Sequence, residues 1–452
     1  MSTTSASRRA ALAAAGGSML FAAPAPAAAQ PAQQQAPGGN GSNGAARRSG
    51  NGGDIVHGFS RERLGRFGAA FAREAERGSF PGCVAVVARG GQVVHHEAYG
   101  HQDAARTKKM PRDAIFLMAS MTKPITSVAA MMLVEEGLMQ LSDPITTWLP
   151  ELRDLKAERR REGQDAEVVA LDRPITVQDL LRHTSGFVYS ESAPSERIKS
   201  AYDEQNIEAR TGPLAGDEML KRLGAIPLAH QPGSTFHYSI SVDVLGLLVE
   251  RVAGQPLDRV FAERILGPLG MRDTAWFVPP EKRARVAEAP DGDRLKEGMW
   301  RSYRIFDDPA GRSYFKGGAG LVSTSADYLR FAQMLGNGGS FEGRRYLSAP
   351  VVHYMMSDHT QGTAGSPAAS TGPGYGFGLG FAVRRQDGLA VAPGSTGDAM
   401  WAGAWGTFFT IDPAEHLVAI LMTQGPASRI RTRMLFKNLV YGAMVDSARG
   451  PA

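Results

Sequence analysis

The chain has 452 residues, 53 of them glycine and 27 proline, with 43% hydrophobic and 21% charged residues. That composition excludes a fibrous, collagen-like or wholly disordered protein, and the length allows about two or three domains around a sizeable core. The formal net charge is +5, but the four arginines before Asp54 (Arg8, Arg9, Arg47, Arg48) meet no acid there and leave a nearly balanced body, so no nucleic-acid partner is implied. The lone Cys83 excludes an internal disulfide and a cysteine-built metal site.

Ser7-Arg8-Arg9-Ala10-Ala11-Leu12 opens an alanine-rich, weakly apolar stretch that ends in Ala27-Ala28-Ala29. A charged start, an apolar middle and small residues before Gln30 predict a signal peptide over 1–29, twin-arginine-like, and a periplasmic or secreted protein. Residues 30–53 are polar and small, too poor in apolar surface to offset their ordering entropy, and are expected as a disordered linker. No later stretch reaches the roughly 18 apolar residues of a membrane span.

Cys83–Ala88 and Gln92–His96 flank Gly90-Gly91 and predict a β-hairpin. An apolar run through Val128, Met131, Met132 and Val134 predicts a helix stopped at Gly137. Beyond Leu152, helical pieces at Val177–Arg182, Glu218–Gly224 and Val242–Gly254 alternate with Gly/Pro loops, and charged Arg153–Asp172 reads as an exposed loop. Thr324 caps a helix from Tyr328 to Leu335. Gly406–Ile411 and Leu417–Met422 form a second hairpin, and Arg431–Val445 a closing helix. Strands at both ends with helices between predict an α/β fold. Its expected parts are an α/β domain from 54–150 and 311–452, with a helical domain over 151–310.

Three clusters could carry chemistry. In Ser120-Met121-Thr122-Lys123, positions i and i+3 share a helix face, so the lysine can reach the hydroxyl, and helix-start amides can serve an oxyanion. Spacing alone equally allows an N-cap serine beside a surface lysine, and Ser313-Tyr314-Phe315-Lys316 repeats the pattern. Position favours Ser120, which starts an apolar helix, whereas Lys316 runs into Gly317-Gly318. Tyr238, in Phe236-His237-Tyr238-Ser239 before a helix, is either a general base or a packed aromatic. Trp401-Ala402-Gly403-Ala404 enters a strand, where the Ala404 amide could complete an oxyanion hole or simply begin the strand. The histidines show no metal-ligand spacing, and His183 is expected to hold a turn.

Together these stretches resemble the serine β-lactamase and penicillin-binding superfamily, on the class C side, from about Gly58 to Ala443. Further landmarks are Leu180–Phe187, with His183-Thr184-Ser185-Gly186, Pro232–Ser239, and Gly317-Gly318-Ala319-Gly320-Leu321. The resemblance implies an antiparallel sheet flanked by helices, with an inserted all-helical domain and the site between. It implies Ser120 as the acylated nucleophile. Lys123 would help deprotonate it and favour the phenolate of Tyr238, and Ser120 and Ala404 would supply the oxyanion amides. No cofactor or metal is implied.

The departures point to a subfamily. Penicillin-recognising members carry Tyr-x-Asn, where this chain has Ile240 in place of the asparagine, and Lys-Thr-Gly, where it has Trp401-Ala402-Gly403. The pattern is similar to the family VIII carboxylesterases, with Trp401 and Gly403 as substrate-binding positions. The expectation is therefore an exported serine esterase acting on small esters. The rivals are a β-lactamase or D-alanyl peptidase, and a non-catalytic binding protein on the same scaffold.

Overall fold

The computed structural model describes residues 54–160, 166–210, 213–293, 306 and 314–450. The expected signal peptide, the expected linker and Ser313 lie outside them. The elements used below are α1 (Arg66–Glu76), β1 (Gly82–Arg89), β2 (Gln92–Gly100), α2 (Thr122–Glu135), β3 (Lys156–Arg159), β4 (Glu167–Ala170), α3 (Val177–Leu181), α4 (Ser241–Ala253), α5 (Ser325–Gly336), β5 (Tyr375–Phe377), β6 (Ala382–Arg384), β7 (Ala399–Ala402), β8 (Phe408–Asp412), β9 (Leu417–Thr423) and α6 (Arg429–Ala443).

Seven antiparallel strands form one sheet in the order β5-β6-β7-β8-β9-β1-β2. The N-terminal hairpin thus pairs with the C-terminal strands, Leu421 opposite Ala85. Every residue of β9 and nearly all of β1 is buried, as strands covered on both faces must be. Adjacent residues of β8 show the two coverings. Phe409 meets Tyr328 of α5 with ring centroids 5.3 Å apart, and Phe408 meets Phe436 of α6 at 6.3 Å. Strand alternation alone sends these two phenylalanines to opposite faces.

Helix α2 is buried on all sides from Thr122 to Leu133 and packs against α4. It is therefore a central support. Two expectations need correction. Residues 151–310 are not purely helical: the segment expected as a loop contains a β3–β4 hairpin, Ala157 opposite Val169. Ala157 and Glu158 are buried, and Ser195 donates to the Glu158 carboxylate at 2.9 Å, so the charged run hides an anchored pair. Trp401 does not enter the strand that follows it. It lies on β7, paired with Phe409, and a turn at 403–407 separates β7 from β8.

The β5–β7 end of the sheet is tied to α6 by a buried network. Asp398 accepts from Arg384 Nε at 2.8 Å, Lys437 Nζ at 2.9 Å and the Tyr375 hydroxyl at 2.8 Å. One buried carboxylate thus serves two buried cations. Removing it strands both, which costs about 3–5 kcal/mol. Asp398→Ala should lower the stability read from urea melts by that amount. A loss below about 1 kcal/mol would show that the network is dispensable.

Candidate active site

Phe116-Leu117 pairs with Val322-Ser323 and delivers the chain to a tight turn at Ala119–Met121, which runs straight into α2. Ala119 adopts φ +44°, a left-handed conformation that costs about 1–3 kcal/mol for a residue with a Cβ. Surrounding hydrogen bonds hold it. Met118 donates its N–H to Leu321 O at 2.9 Å, Met121 N–H donates to Met118 O at 3.0 Å, and the Tyr328 hydroxyl donates to Met121 O at 3.0 Å. The result is a half-buried Ser120 at the mouth of a buried helix.

Lys123, one turn on, is fully buried. Its three donors have three oxygen partners: Ser120 Oγ at 3.4 Å, the Tyr189 hydroxyl at 3.0 Å and Gly318 O at 2.8 Å. Gly318 belongs to the glycine turn, which is strapped along α2. Thr126 Oγ1 donates to Gly317 O at 2.6 Å, and Leu321 N–H donates to Thr122 Oγ1 at 3.1 Å. From the other side Asp243 of α4 accepts the Gly318 N–H at 3.1 Å. A Cβ on Gly318 would sit 2.3 Å from Asp243 Oδ2, so only glycine fits. Burial raises the Asp243 carboxyl's pKa, and the charges of Lys123 and Lys316 oppose that rise.

Tyr238 lies on the loop before α4, its ring 4.8 Å from Lys123 Nζ. Its hydroxyl is buried and has no hydrogen-bond partner among the described residues. The His183 turn fixes this loop: His237 N–H donates to His183 O at 2.9 Å, and His183 Nδ1 lies 3.1 Å from Ser239 Oγ. Burial, with Lys123 nearby, pulls the His183 pKa well down, so the imidazole is neutral. It stacks near Tyr238 at 4.7 Å and has no bond to Ser120. Ile240 is buried in the core.

Trp401 closes the aromatic wall, 5.3 Å from Tyr238 and 5.1 Å from Phe377. After it, Gly403 comes so near the nucleophile turn that a Cβ would stand 2.2 Å from Met118 O. Thr407 Oγ1 donates to that same carbonyl at 3.3 Å. Among the described residues, neither the Ser120 nor the Ala404 amide donates to a protein acceptor. The fold therefore gathers Ser120, Lys123, Tyr238, Trp401 and Gly403, and leaves the Ser120 and Ala404 amides without a protein acceptor among the described residues.

A family model described as Beta-lactamase matches residues 67–438. The chain belongs to the β-lactamase family. It is a serine hydrolase of that superfamily, related to its esterases. Esterase EstB of Burkholderia gladioli is 32% identical over 378 residues, 79% of this chain and 89% of its own length. Protein Rv1367c of Mycobacterium tuberculosis is 35% identical over 365 residues, covering 79% and 88%. The solved structure of EstCE1, a hydrolase with promiscuous acyltransferase activity, superposes with a TM-score of 0.71 at 28% identity, covering 84% and 99%.

Within this β-lactamase site, sequence reasoning missed Tyr189 and Asp243. Tyr189 follows the His-Thr-Ser-Gly turn by three residues, and Asp243 is one of two acids, with Glu250, in a largely apolar helix. An acid among apolar neighbours at the start of that helix is a legible signal for Asp243. Tyr189 had none. Among the described residues, no group of three His, Cys, Asp or Glu could hold a metal ion, and no helix is long and apolar enough to cross a membrane.

Tyr189→Phe removes one of the three oxygen partners of Lys123. A hydrogen bond to a charged group is worth about 1.5–3 kcal/mol, so kcat for a p-nitrophenyl ester should fall about 10- to 100-fold. An unchanged kcat would mean that the contact does not matter to turnover.

Proposed function

We propose that the protein is an exported esterase that hydrolyses small neutral carboxylic esters through a Ser120 acyl-enzyme. The observation that carries the reading is the Lys123–Ser120 contact inside an aromatic wall of Tyr189, Tyr238 and Trp401. Relationship to EstB supports the substrate class.

In the first half-reaction, Ser120 Oγ attacks the ester carbonyl as its proton passes to Tyr238 Oη, the general base of a pair completed by the Lys123 ammonium beside its ring. The oxyanion that forms takes hydrogen bonds from the Ser120 and Ala404 amides. Collapse expels the alkoxide, which needs a proton. Tyr238, with no other hydrogen-bond partner, delivers it as part of the base system with Lys123. Water then attacks the acyl-enzyme and gives its proton to the same pair; collapse breaks the bond to Ser120 Oγ, which takes that proton back as the acid is released. Should an alcohol replace that water, the same steps give a transesterification. The promiscuous acyltransferase activity of EstCE1 makes this a natural second outcome.

Selectivity comes from Trp401. It stands where penicillin-recognising relatives have a carboxylate-binding lysine. An indole cannot offset desolvation of a carboxylate, whereas it covers an apolar acyl group at about 25 cal/mol per Å². The first 29 residues support export by their composition.

Ser120→Ala should abolish p-nitrophenyl butyrate hydrolysis and fluorophosphonate labelling, and Tyr238→Phe should lower turnover about 100-fold. Wild type should prefer the butyrate ester to nitrocefin, and Trp401→Ala should raise KM for apolar esters. A preference for nitrocefin would replace the esterase reading with a β-lactamase. The mature protein recovered from the producing cell should begin at Gln30, outside the cytoplasm. An uncut cytoplasmic chain would remove the export proposal.

A further inference from the structure

Arg433 of α6 is only 9% exposed, yet among the described residues it pairs with no carboxylate. Two other buried cations, Lys437 and Arg384, share Asp398. One Arg433 terminal nitrogen donates to Gly403 O, and its Nε has no hydrogen-bond partner. Burial and the charge of Arg429 push its pKa down to about 9, and Tyr238 acts against that fall. An apolar side chain would fill this helix position without the desolvation cost of an unpaired cation. The placement therefore calls for an explanation other than packing.

The carbonyl it touches supplies one. Gly403 O and the Ala404 N–H belong to the same planar trans peptide and point in opposite directions. The Gly406 N–H also donates to Gly403 O, at 3.0 Å. Gly403 N–H is tied to Thr407 O at 2.9 Å, and the Gly403 Cα lies against the Met118 carbonyl. The carbonyl side of this peptide is thus held by a cation and an amide, while its N–H side has no acceptor. Hydrogen bonds at one end of an amide polarise it and strengthen donation at the other.

We propose that Arg433 is a positioning residue for acyl transfer: from behind the site it holds and polarises the Gly403–Ala404 peptide, so that the Ala404 N–H binds the oxyanion. This rests on the reading of Ser120 as nucleophile and Ala404 as its second oxyanion donor. Arg433 touches neither substrate nor reacting atoms. It reaches the active site from the C-terminal helix, an element that carries none of the sequence motifs.

The test uses the mature protein with Arg433→Gln and Arg433→Lys. The readouts are kcat and KM for p-nitrophenyl butyrate, the rate of fluorophosphonate labelling, thermal melts, and the infrared stretch of a ¹³C-labelled acyl-enzyme carbonyl. Arg433→Gln should cut kcat about 10- to 100-fold with KM nearly unchanged, a part of what losing a whole oxyanion donor costs. Its acyl carbonyl should absorb at higher frequency, because the amide pulls on it less. Arg433→Lys should recover part of both. An unchanged kcat in Arg433→Gln overturns the proposal. So does a fall in kcat with no carbonyl shift, since that would show Arg433 only supporting the fold. If Arg433→Gln does not fold, Arg433→Met with wild-type kcat and an unshifted carbonyl would still count against it. A wild type that takes no label overturns the nucleophile assignment itself, whereas labelling with no Arg433 effect overturns this inference alone.

Discussion

A lysine nitrogen sealed from water must find its hydrogen bonds inside the protein or leave the fold unstable. Lys123 is that nitrogen, and much of the site follows from supplying its oxygens. Ser120 provides one because it lies one turn away. Tyr189 provides another from the loop after the histidine turn. Gly318 provides the third, and can do so only because two successive glycines let the backbone reach α2 and Asp243 at once. A side chain at Gly318 would push the carbonyl away and leave the ammonium one partner short.

The second demand is closeness between the end of β7 and the serine turn. The amides proposed for the oxyanion come from segments about 280 residues apart in sequence (Ser120 and Ala404). Their meeting depends on the sheet, whose pairing of the N-terminal hairpin with β9 brings the two chain ends together. It depends also on Gly403, which has no Cβ to collide with Met118. The buried Asp398 network then fixes the β5–β7 end against α6. The network is distant from the reaction but sets where Trp401 can stand.

Strain and burial occur at the site but do not by themselves mark it. Ala119 is held in a left-handed conformation directly before Ser120, and Tyr238 and Trp401 bury polar atoms without partners among the described residues. Left-handed Glu342 and His416, and unpartnered buried Thr410 Oγ1 and Gln424 Oε1, lie elsewhere. Buried charges such as Asp398, Asp179 and Glu158 have partners.

Much of this was readable from residues alone. The two hairpins, α2, α4 and α6 follow from apolar runs bounded by glycine, and Ser120, Lys123 and Tyr238 follow from motifs whose spacing lies within a few residues. What stayed hidden depends on long-range placement. The hairpin at 156–170 looked like a loop because its burial comes from neighbours such as Ser195, not from its own charged composition. Trp401 looked like the start of the next strand because apolar composition cannot locate a turn between two strands of one sheet. Tyr189 and Arg433 carry no local pattern, since each acts on a backbone group or side chain far away in sequence, and Asp243 shows only as an acid among apolar neighbours. Local periodicity and motif spacing therefore determined most of the elements and singled out Ser120 and Lys123. Only tertiary packing decided which oxygens surround Lys123 and which cation stands behind Gly403, because a buried polar group's partners are set by what the fold brings within about 3 Å.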